Sequence, residues 1–286
     1  MDHERLLVEP GVAIRLRDYD PGFTGRFDDK DDAKSKLAKD VETLAALQEI
    51  FAAARSRSML IVLQGMDTSG KDGAIKHVMS GVNPQGVEVH GFKEPSPEEL
   101  AHDYLWRYRR LMPGRGRIGI FNRSYYEEVL VVRVHPELLA NETPAATSQG
   151  DDIWNERYED INALERHLTR SGTEIVKFFL HISKEEQRER LLARLDDPDK
   201  HWKFSLDDVR ERRFWDEYQA AYELMLNATS TKWAPWYIIP SDHKWFMRTA
   251  IADVIVSRLE HLRLRYPLDA QQRSMLAQVR AQLEKG

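Results

Sequence analysis

The sequence predicts an α/β protein built around a parallel β-sheet. Short apolar runs of strand length alternate with longer amphipathic segments along most of the 286 residues. This alternation is typical of consecutive β-α-β units. The first run, 59–63, is apolar at every position, as expected of a strand that is buried on both faces. It leads directly into a glycine-rich turn and a second helix.

The predicted elements follow one another in a regular order. Residues 1–32 combine several Pro and Gly residues with an acidic run, so we expect an irregular arm there. Apolar residues recur with helical spacing over 33–56, which predicts a long helix. Further strands are predicted at 87–92, 118–121, 175–182 and 236–239, and further helices after Ser96, at 151–171, after Ser183 and at 243–265. Ser96 and Ser183 each precede a Glu by three residues, which is the pattern of a helix capping box.

Composition excludes several classes of site. The chain has no cysteine, which excludes a disulfide framework, a thiolate metal site and a cysteine nucleophile. Its formal net charge of −5 argues against binding to bulk nucleic acid. The first ten residues, MDHERLLVEP, lack a long apolar run, so we expect no signal peptide, and no stretch approaches the length of a membrane span. We therefore expect a cytoplasmic protein that binds neither nucleic acid nor membranes.

A phosphate-binding loop follows the first strand. Residues 65–71, GMDTSGK, match the pattern G-x-x-x-x-G-K between a strand and a helix, which is the context that a P-loop requires. Glycines let backbone N–H groups turn toward phosphate oxygens, the helix N-terminus adds partial positive charge, and Lys71 adds a full charge. The predicted phosphate contacts are Gly65, Thr68, Ser69, Gly70, Lys71, Asp72 and Gly73. A glycine-rich turn without a ligand is the alternative, and the flanking strand and helix argue against it.

Two acidic residues distinguish this loop from an ordinary P-loop. Asp72 occupies the position at which P-loops normally carry a Ser or Thr that binds Mg²⁺, and Asp67 lies inside the loop. A carboxylate repels phosphates unless a metal or another cation lies between them. Asp67 is therefore predicted to bind Mg²⁺ or to accept a proton. A turn-forming role for Asp67 is the alternative.

A second candidate motif, NRSYYE at 122–127, follows the predicted strand 118–121. Asn122 stands where many P-loop proteins place an Asp that binds Mg²⁺. Arg123 should lie beside the phosphates, because α/β proteins bind their ligands at the carboxyl ends of the strands. A surface loop with packing tyrosines is the alternative interpretation.

Three segments resemble the type 2 polyphosphate kinases: GMDTSGKDG at 65–73, FNRSYYEEVLVVRVHPE at 121–137 and DPDKHWKFS at 197–205. The resemblance extends over about 33–262. It implies a thymidylate-kinase-like, three-layer P-loop kinase fold with a helical lid. It also implies a requirement for Mg²⁺, with Mn²⁺ as a substitute, and assembly into a homo-oligomer, either a dimer or a tetramer. On this basis we divide the chain into an N-terminal arm at 1–32, a kinase domain at 33–266 with its lid at about 195–215, and a helical tail at 267–286.

The same resemblance implies a reaction. Members of this family transfer phosphoryl groups between inorganic polyphosphate and nucleotides. The pair Asn122 and Glu127 resembles the class III branch, whose members phosphorylate both AMP and ADP. The expected partners are therefore inorganic polyphosphate with AMP, ADP and ATP, and guanine nucleotides are an alternative. The predicted catalytic residues are Asp67, Lys71 and Arg123, and the predicted nucleotide-binding residues are Asn122, Tyr126 and Glu127.

A polyanionic substrate needs a groove that is lined by cations. Outside the phosphate loop, the candidate phosphate-binding cations are Lys76, Arg123, Arg133, Lys200, Lys203 and Arg210. Lys200 and Lys203 lie in an irregular segment, as expected of a mobile lid. A solvated hairpin, neutralised by its own aspartates, is the alternative interpretation of that segment, and the family resemblance favours the lid.

Two other functions remain open at this point. An ATP-dependent nucleoside monophosphate kinase would share the fold and the phosphate loop, and only its phosphoryl donor would differ. A non-catalytic nucleotide-binding protein would explain Asp72 and Asn122 as lost magnesium ligands, although Lys71 and Arg123 are intact. The two acids of the loop, Asp67 and Asp72, favour polyphosphate as the donor.

Overall fold

The central sheet is parallel throughout the residues that the structure describes, which are 3–27, 29–142, 150, 152–203 and 205–285 of a computed structural model. Its strands are β1 Ser58–Gln64, β2 Val87–Gly91, β3 Ile118–Asn122, β4 Thr173–His181 and β5 Trp236–Pro240. They are ordered β2-β3-β1-β4-β5, so β1 lies at the centre of the sheet. The predicted α/β class with a parallel sheet is confirmed.

Helices connect the strands and cover both faces of the sheet. Within the described ranges the α-helices are α1 Lys30–Ala54, α2 Lys71–Val78, α3 Pro97–Leu100, α4 Trp106–Arg109, α5 Val131–Val134, α6 Leu139–Glu142, α7 Asp152–Arg170, α8 Lys184–Leu195, α9 Leu206–Glu211, α10 Trp215–Thr229, α11 Lys244–His261 and α12 Ala270–Leu283. Short 3-10 helices lie at Leu16–Asp18, Pro84–Gly86, Tyr125–Val129, Pro136–Leu138, Pro198–Lys203 and Arg212–Phe214.

Strand β1 shows how the layers are built. All of its residues are buried, and they alternate between two apolar clusters. Met59, Ile61 and Leu63 pack with side chains of α1, α2 and α11, whereas Leu60 and Val62 pack with side chains of α5, α7 and α10. The alternation follows from the two-residue period of a strand. Both faces of β1 are therefore covered by helices, which explains its apolar sequence and gives the expected three layers.

Helix α1 begins at Lys30, three residues before its predicted start. The side chain of Asp29 accepts hydrogen bonds from the backbone N–H groups of Asp31 and Asp32. An acidic residue at this position satisfies N–H groups that have no partner within the helix. The prediction of irregular structure for 30–32 is therefore wrong, because part of the acidic run caps a helix.

Part of the N-terminal arm joins the edge of the sheet. Leu7 forms an isolated antiparallel bridge with Tyr237 of β5. The backbone N–H of Val8 donates to the carbonyl oxygen of Trp236 at 2.9 Å. The arm thus supplies hydrogen bonds to an edge strand that would otherwise expose unpaired backbone groups.

The last part of the chain is helical. Helix α11 ends at His261, four residues before its predicted end, and α12 begins after a capping box at Asp269. The division into an arm, a kinase domain and a tail stays a prediction. None of the helices in the described ranges is both long and apolar enough to cross a membrane.

Candidate active site

The loop between β1 and α2 turns sharply at two glycines. Gly65 has a φ of +153° and Gly70 a φ of +109°, which lie in the region that favours glycine. A Cβ atom on Gly65 would lie 2.8 Å from the carbonyl oxygen of Leu180, so no side chain fits there. Thr68 also has a positive φ, of +64°. The loop therefore curls at the carboxyl end of β1, and α2 begins directly after it.

A cavity of about 620 Å³ lies around this loop, at the carboxyl edge of the sheet. Residues that follow β1, β2 and β3 line it, together with residues of α8 and α11. This is the edge at which α/β proteins bind their ligands. The predicted site residues that line the cavity are Asp67, Thr68, Gly70, Lys71, Asp72, Gly73, Lys76, Asn122, Arg123 and Lys200.

Positive charge dominates the cavity. Of the described residues that line it, nine carry a cationic side chain and two carry a carboxylate. The cations are Lys71, Lys76, Lys93, Arg123, Arg190, Arg194, Lys200, Lys244 and Arg248, and the acids are Asp67 and Asp72. Low-dielectric walls strengthen such a field and attract anionic ligands. The cavity is therefore suited to a ligand that carries several negative charges.

The two acids of the loop are hydrogen-bonded to Asn122, the last residue of β3, and to Arg123, which follows it. Nη2 of Arg123 donates to Oδ1 of Asp67 at 2.7 Å, and Nδ2 of Asn122 donates to Oδ1 of Asp72 at 2.7 Å. Arg123 also pairs with Glu127 at 3.5 Å. Glu127, and after it Asp67, raise the pKa of Arg123 above its ordinary value. Arg123 is thus a permanent cation between two carboxylates.

Lys71 is folded against its own loop. Its Nζ donates to the carbonyl oxygens of Gly65 at 2.6 Å and Met66 at 3.1 Å. Burial, followed by the nearby Arg123, lowers the pKa of Lys71 to about 8. The ammonium group has to leave these carbonyls to reach a phosphate. Phosphate oxygens would then raise its pKa again, because nearby negative charge favours the protonated form.

Arg190 of α8 holds the loop in place. Its guanidinium donates to the carbonyl oxygens of Thr68 at 2.9 Å and Ser69 at 3.1 Å. It also donates to the carbonyl oxygens of Ser241 at 2.6 Å and Asp242 at 3.0 Å. A guanidinium can bridge two segments in this way because its five donors lie in one rigid plane. Arg190 therefore fixes the phosphate loop to the turn between β5 and α11.

Two hydroxyl groups of the loop lack protein partners. The side-chain oxygens of Thr68 and Ser69 are buried and accept or donate no hydrogen bond among the described residues. Buried polar groups in folded proteins nearly always have a partner. Thr68 lines the cavity and Ser69 does not, so the hydroxyl of Thr68 is the one that indicates a ligand with hydrogen-bonding groups.

Some predicted residues lie behind the cavity and not on its wall. Gly65 and Ser69 shape the turn of the loop, and Glu127 faces Arg123. Lys203 ends a 3-10 helix, and its side chain lies outside the described part of the structure.

Tyr126 does not line the cavity. It is fully buried, and its hydroxyl donates to Oε1 of Glu165 at 2.8 Å and accepts from Nζ of Lys177 at 2.7 Å. Glu165 and Lys177 form a buried ion pair of 2.7 Å, so the tyrosine completes a polar cluster in the core. The predicted nucleotide contact of Tyr126 is therefore corrected to a structural role.

Two predicted phosphate-binding arginines also lie elsewhere. The guanidinium of Arg133 lies 5.3 Å from the ring centre of Trp154 and does not line the cavity. Arg210 is exposed and donates to its neighbour Asp207 at 3.1 Å. Neither residue lines the cavity, because each contacts another side chain of its own neighbourhood.

The sequence reasoning missed five basic residues that line the cavity in the described structure: Lys93, Arg190, Arg194, Lys244 and Arg248. Lys93 follows β2, the next two lie on α8 after β4, and the last two lie on α11 after β5. The carboxyl ends of parallel strands meet at one edge of the sheet. Basic residues in the segment or helix that follows each predicted strand were therefore the signal that could have identified them.

Comparisons with known proteins identify a family and several relatives. The family model described as "Polyphosphate kinase 2 (PPK2)" matches residues 27–266. The chain is 49% identical over 280 residues to a Rhodopseudomonas palustris protein named ADP-polyphosphate phosphotransferase, and the match covers 97% of each chain. It is 46% identical over 261 residues to a Meiothermus ruber protein named AMP/ADP-polyphosphate phosphotransferase, with 91% of this chain and 94% of that one covered.

A solved structure supports the same assignment. The crystal structure of polyphosphate kinase 2 from Arthrobacter aurescens TC1 matches with a TM-score of 0.90 and 40% identity, and the match covers 99% of this chain and 96% of that one. The fold is therefore that of a P-loop kinase. The sequence relationship, the shared fold and the phosphate loop lead to one conclusion: the chain belongs to the polyphosphate kinase 2 family.

Proposed function

We propose that the protein transfers the terminal phosphoryl group of inorganic polyphosphate to AMP and to ADP, giving ADP and ATP, and that the reaction is reversible. An oxygen of the acceptor's terminal phosphate forms a bond to the last phosphorus of the polyphosphate chain. The bond from that phosphorus to its bridging oxygen breaks, and the leaving group is polyphosphate shortened by one unit.

The charge of the cavity is the observation that carries this proposal. Nine cationic side chains and two carboxylates line it in the described structure. The cations come from the phosphate loop, from α2, α8 and α11, and from segments after β2 and β3. An acceptor nucleotide alone would not need cations on so many elements. Polyphosphate carries negative charge on every unit, so an extended polyanion accounts for the distribution.

Lys71 and Arg123 line the cavity and would stabilise the charge on the transferring phosphoryl group. Phosphoryl transfer depends mainly on positioning and on cations that neutralise charge in the transition state. Asp67 accepts from Arg123 at the cavity wall and would orient the phosphate of the acceptor. Glu127 would act through Arg123, which it contacts directly.

A divalent metal fits the donor atoms of the site, and we propose Mg²⁺ with Mn²⁺ as a substitute. Asp67 and Asp72 both line the cavity and offer carboxylate oxygens. In the described residues, no three His, Cys, Asp or Glu side chains form a group that could hold a metal without other ligands. Mg²⁺ is often held by one or two carboxylates together with substrate phosphates, so the site fits a metal that enters with substrate. The bound metal would neutralise phosphate charge.

AMP and ADP are the acceptors that we propose. The Meiothermus ruber relative is named for both nucleotides, whereas the Rhodopseudomonas palustris relative is named for ADP alone. A third relative, from Pseudomonas aeruginosa, is named a GDP-polyphosphate phosphotransferase, so guanine nucleotides belong in the same assay. The pair Asn122 and Glu127 supports the dual acceptor, as in the class III branch.

One assay separates this function from its alternatives. The protein is incubated with Mg²⁺, polyphosphate and AMP in the absence of ATP, and ADP followed by ATP should appear. Phosphorylation of AMP only when ATP is the donor would instead identify an ATP-dependent nucleoside monophosphate kinase. No transfer from either donor would identify a non-catalytic nucleotide-binding protein.

We also propose that the protein acts in the cytoplasm as a homo-oligomer, either a dimer or a tetramer, and that 195–215 forms a lid. Lys200, in the 3-10 helix Pro198–Lys203, lies on the cavity wall, which supports the lid. Light scattering on the purified protein measures the oligomeric state directly.

A further inference from the structure

A second cavity, of about 710 Å³, shares no lining residue with the active-site cavity. Its walls are the N-terminal arm at 15–21, the end of β4, the first turn of α8 and one side of α10. Its volume lies within the range of small-molecule sites. None of the residues to which we assign a role in phosphoryl transfer lines this second cavity.

The arm that forms one wall is firmly attached. The side chain of Leu16 is buried, and its backbone N–H donates to Oε2 of Glu223 at 2.8 Å. The carbonyl oxygen of Tyr19 accepts from Nε2 of His181 at 3.1 Å, and that of Pro21 accepts from the N–H of Asp242 at 3.1 Å. The cavity is therefore formed before any ligand binds.

Three cations line the cavity. Arg15 and Arg17 are exposed on either side of the buried Leu16, and Lys184 opens α8. The amino terminus of α8, a helix of 12 residues, adds partial positive charge on the same wall. Two acids also line the cavity, Glu185 and the Glu223 that already accepts from the arm. The wall formed by the arm and α8 is thus suited to an anionic group.

The residues that line the cavity also include two aromatic side chains and two that carry a buried polar atom without a partner among the described residues. Trp215 and Tyr19 line it, and Nδ1 of His181 and Nε2 of Gln219 are buried with no hydrogen bond among the described residues. His181 is only 6% exposed, and burial lowers its pKa, so the ring is neutral at physiological pH. Its Nε2–H donates to Tyr19, which leaves Nδ1 as an acceptor.

These groups match the parts of a purine nucleotide. The edge of a purine presents donors and acceptors, and the unpartnered amide nitrogen of Gln219 and Nδ1 of His181 offer one complementary donor and one complementary acceptor. Aromatic side chains stack on bases, and arginines bind phosphates through paired donors. We infer that this cavity is a second ligand site, separate from the active site, and that its ligand is a purine nucleotide with at least two phosphates.

The second cavity is connected to the phosphate loop by hydrogen bonds. The carbonyl oxygen of Lys184 accepts from Nη1 of Arg212 at 2.8 Å, and the same nitrogen donates to Oε1 of Gln187 at 2.6 Å. Nε2 of Gln187 donates to the carbonyl oxygen of Asp67 at 3.2 Å. A nucleotide bound beside Lys184 would therefore contact a wall that is linked to the catalytic loop.

Calorimetry with a non-hydrolysable ATP analogue, in the absence of polyphosphate, tests the inference. The parent should bind two molecules per chain. The double variant Arg15→Ala with Arg17→Ala should bind one, with the affinity of the remaining site unchanged. The double variant Arg265→Ala with Arg273→Ala removes the same charge from exposed positions outside the cavity, and it should still bind two.

Hydrogen exchange locates the second molecule. In the parent, the analogue should protect the amides of 15–21 and those of the phosphate loop from exchange. In the variant Arg15→Ala with Arg17→Ala, it should protect the phosphate loop but no longer protect 15–21. A single site in the parent, or two sites in that variant, would overturn the inference. Gln219→Leu should weaken the second site at least tenfold. Equal affinity of that site for tripolyphosphate, which has no base, would show that it recognises phosphate alone and would overturn the assignment to a nucleotide.

Discussion

Arg123 donates a 2.7 Å hydrogen bond to Asp67, and this contact brings the end of β3 against the inside of the phosphate loop. Arg123 makes it from a left-handed backbone conformation with a φ of +64°, which a non-glycine residue seldom adopts. Such strain persists only where surrounding structure enforces it and is concentrated at functional sites. A phosphate that contacts Arg123 must therefore share this guanidinium with the carboxylate of Asp67.

Replacement of Lys71 by alanine should nearly abolish turnover and leave the fold intact. The Lys71 side chain lies at the cavity, and its hydrogen bonds within the described structure go to loop carbonyls, so its loss creates no gap in the apolar core. Loss of a cation that stabilises developing charge should reduce kcat about 10²-fold or more. Steady-state kinetics and the melting temperature check both parts. A loss below about tenfold in a folded protein would show that this loop is not the catalytic cradle.

The low pKa of Lys71 predicts the alkaline limb of the pH profile. Burial lowers this pKa to about 8, so the free enzyme should lose its ammonium charge, and kcat/KM for polyphosphate should fall, as the pH rises through about 8. The alkaline fall in kcat should occur at a higher pH than the fall in kcat/KM, because bound phosphates favour the protonated lysine. Lys71→Arg is the matched control, since a guanidinium keeps its proton in this range. An unchanged limb in that variant would assign the ionisation to another group.

The phosphate loop was predictable because its chemistry depends on local sequence. Two glycines, a lysine and a preceding buried strand suffice to predict the turn from Gly65 to Lys71, and the structure has this turn. The clamp formed by Arg190 was not predictable in the same way. It joins the loop to a turn more than 170 residues later in the chain, and no local pattern encodes that contact.

Tyr126, in contrast, was predicted to contact the nucleotide and does not line the cavity. Its place in the motif at 122–127, three residues after Arg123, suggested a role at the site, but a short 3-10 helix turns its side chain into the core. There it bonds with Glu165 and Lys177, which lie on α7 and β4. Proximity in sequence is a poor guide where backbone direction changes within a few residues. Only the register of β3 and the course of the following turn decide which side chains face the ligand.

The cations on the cavity wall should make polyphosphate binding sensitive to salt. A polyanion that binds through several lysines and arginines releases counterions, as nucleic acids do, so the KM for polyphosphate should rise steeply with salt. Lys200→Ala and Lys244→Ala should each raise this KM and flatten its salt dependence, because both residues line the cavity.

Arg210→Ala is the matched control for these lysines. Arg210 is exposed and paired with Asp207, and it does not line the cavity, so the substitution should change neither KM nor the salt slope. KM values of all three variants are measured over a range of salt concentrations. A KM of the parent protein that is independent of salt would contradict binding by many cations.

Asn122→Asp should change the preference between AMP and ADP. Asn122 donates to Asp72 at 2.7 Å, and a carboxylate at this position would have no proton to donate. Two facing carboxylates repel each other, so the variant should require more Mg²⁺ and should hold acceptor phosphate differently. The ratio of kcat/KM values for the two acceptors is the measurement. An unchanged ratio at saturating Mg²⁺ would remove Asn122 from the account of acceptor specificity.

Asp67→Asn is the substitution that best separates a catalytic acid from a turn-forming residue. An acid beside bound phosphates is unfavourable, since two unit charges ~4 Å apart interact by ~4 kcal/mol at an effective dielectric constant of 20. Asparagine has the same size, serves a turn almost as well, and removes this repulsion. The variant should therefore bind polyphosphate as tightly as the parent or more tightly. It should also release Arg123 from its ion pair.

Turnover of the Asp67→Asn protein should nevertheless fall ~10²-fold or more, the usual scale for loss of a general base. Titration with Mg²⁺ distinguishes the two catalytic roles, because added metal should restore part of kcat only if Asp67 is a metal ligand. Arg123→Lys is the companion variant, since it keeps a positive charge beside Asp67 but loses the planar group that contacts both Asp67 and Glu127. A kcat of Asp67→Asn close to that of the parent would leave the carboxylate as a turn former and would end its assignment to catalysis.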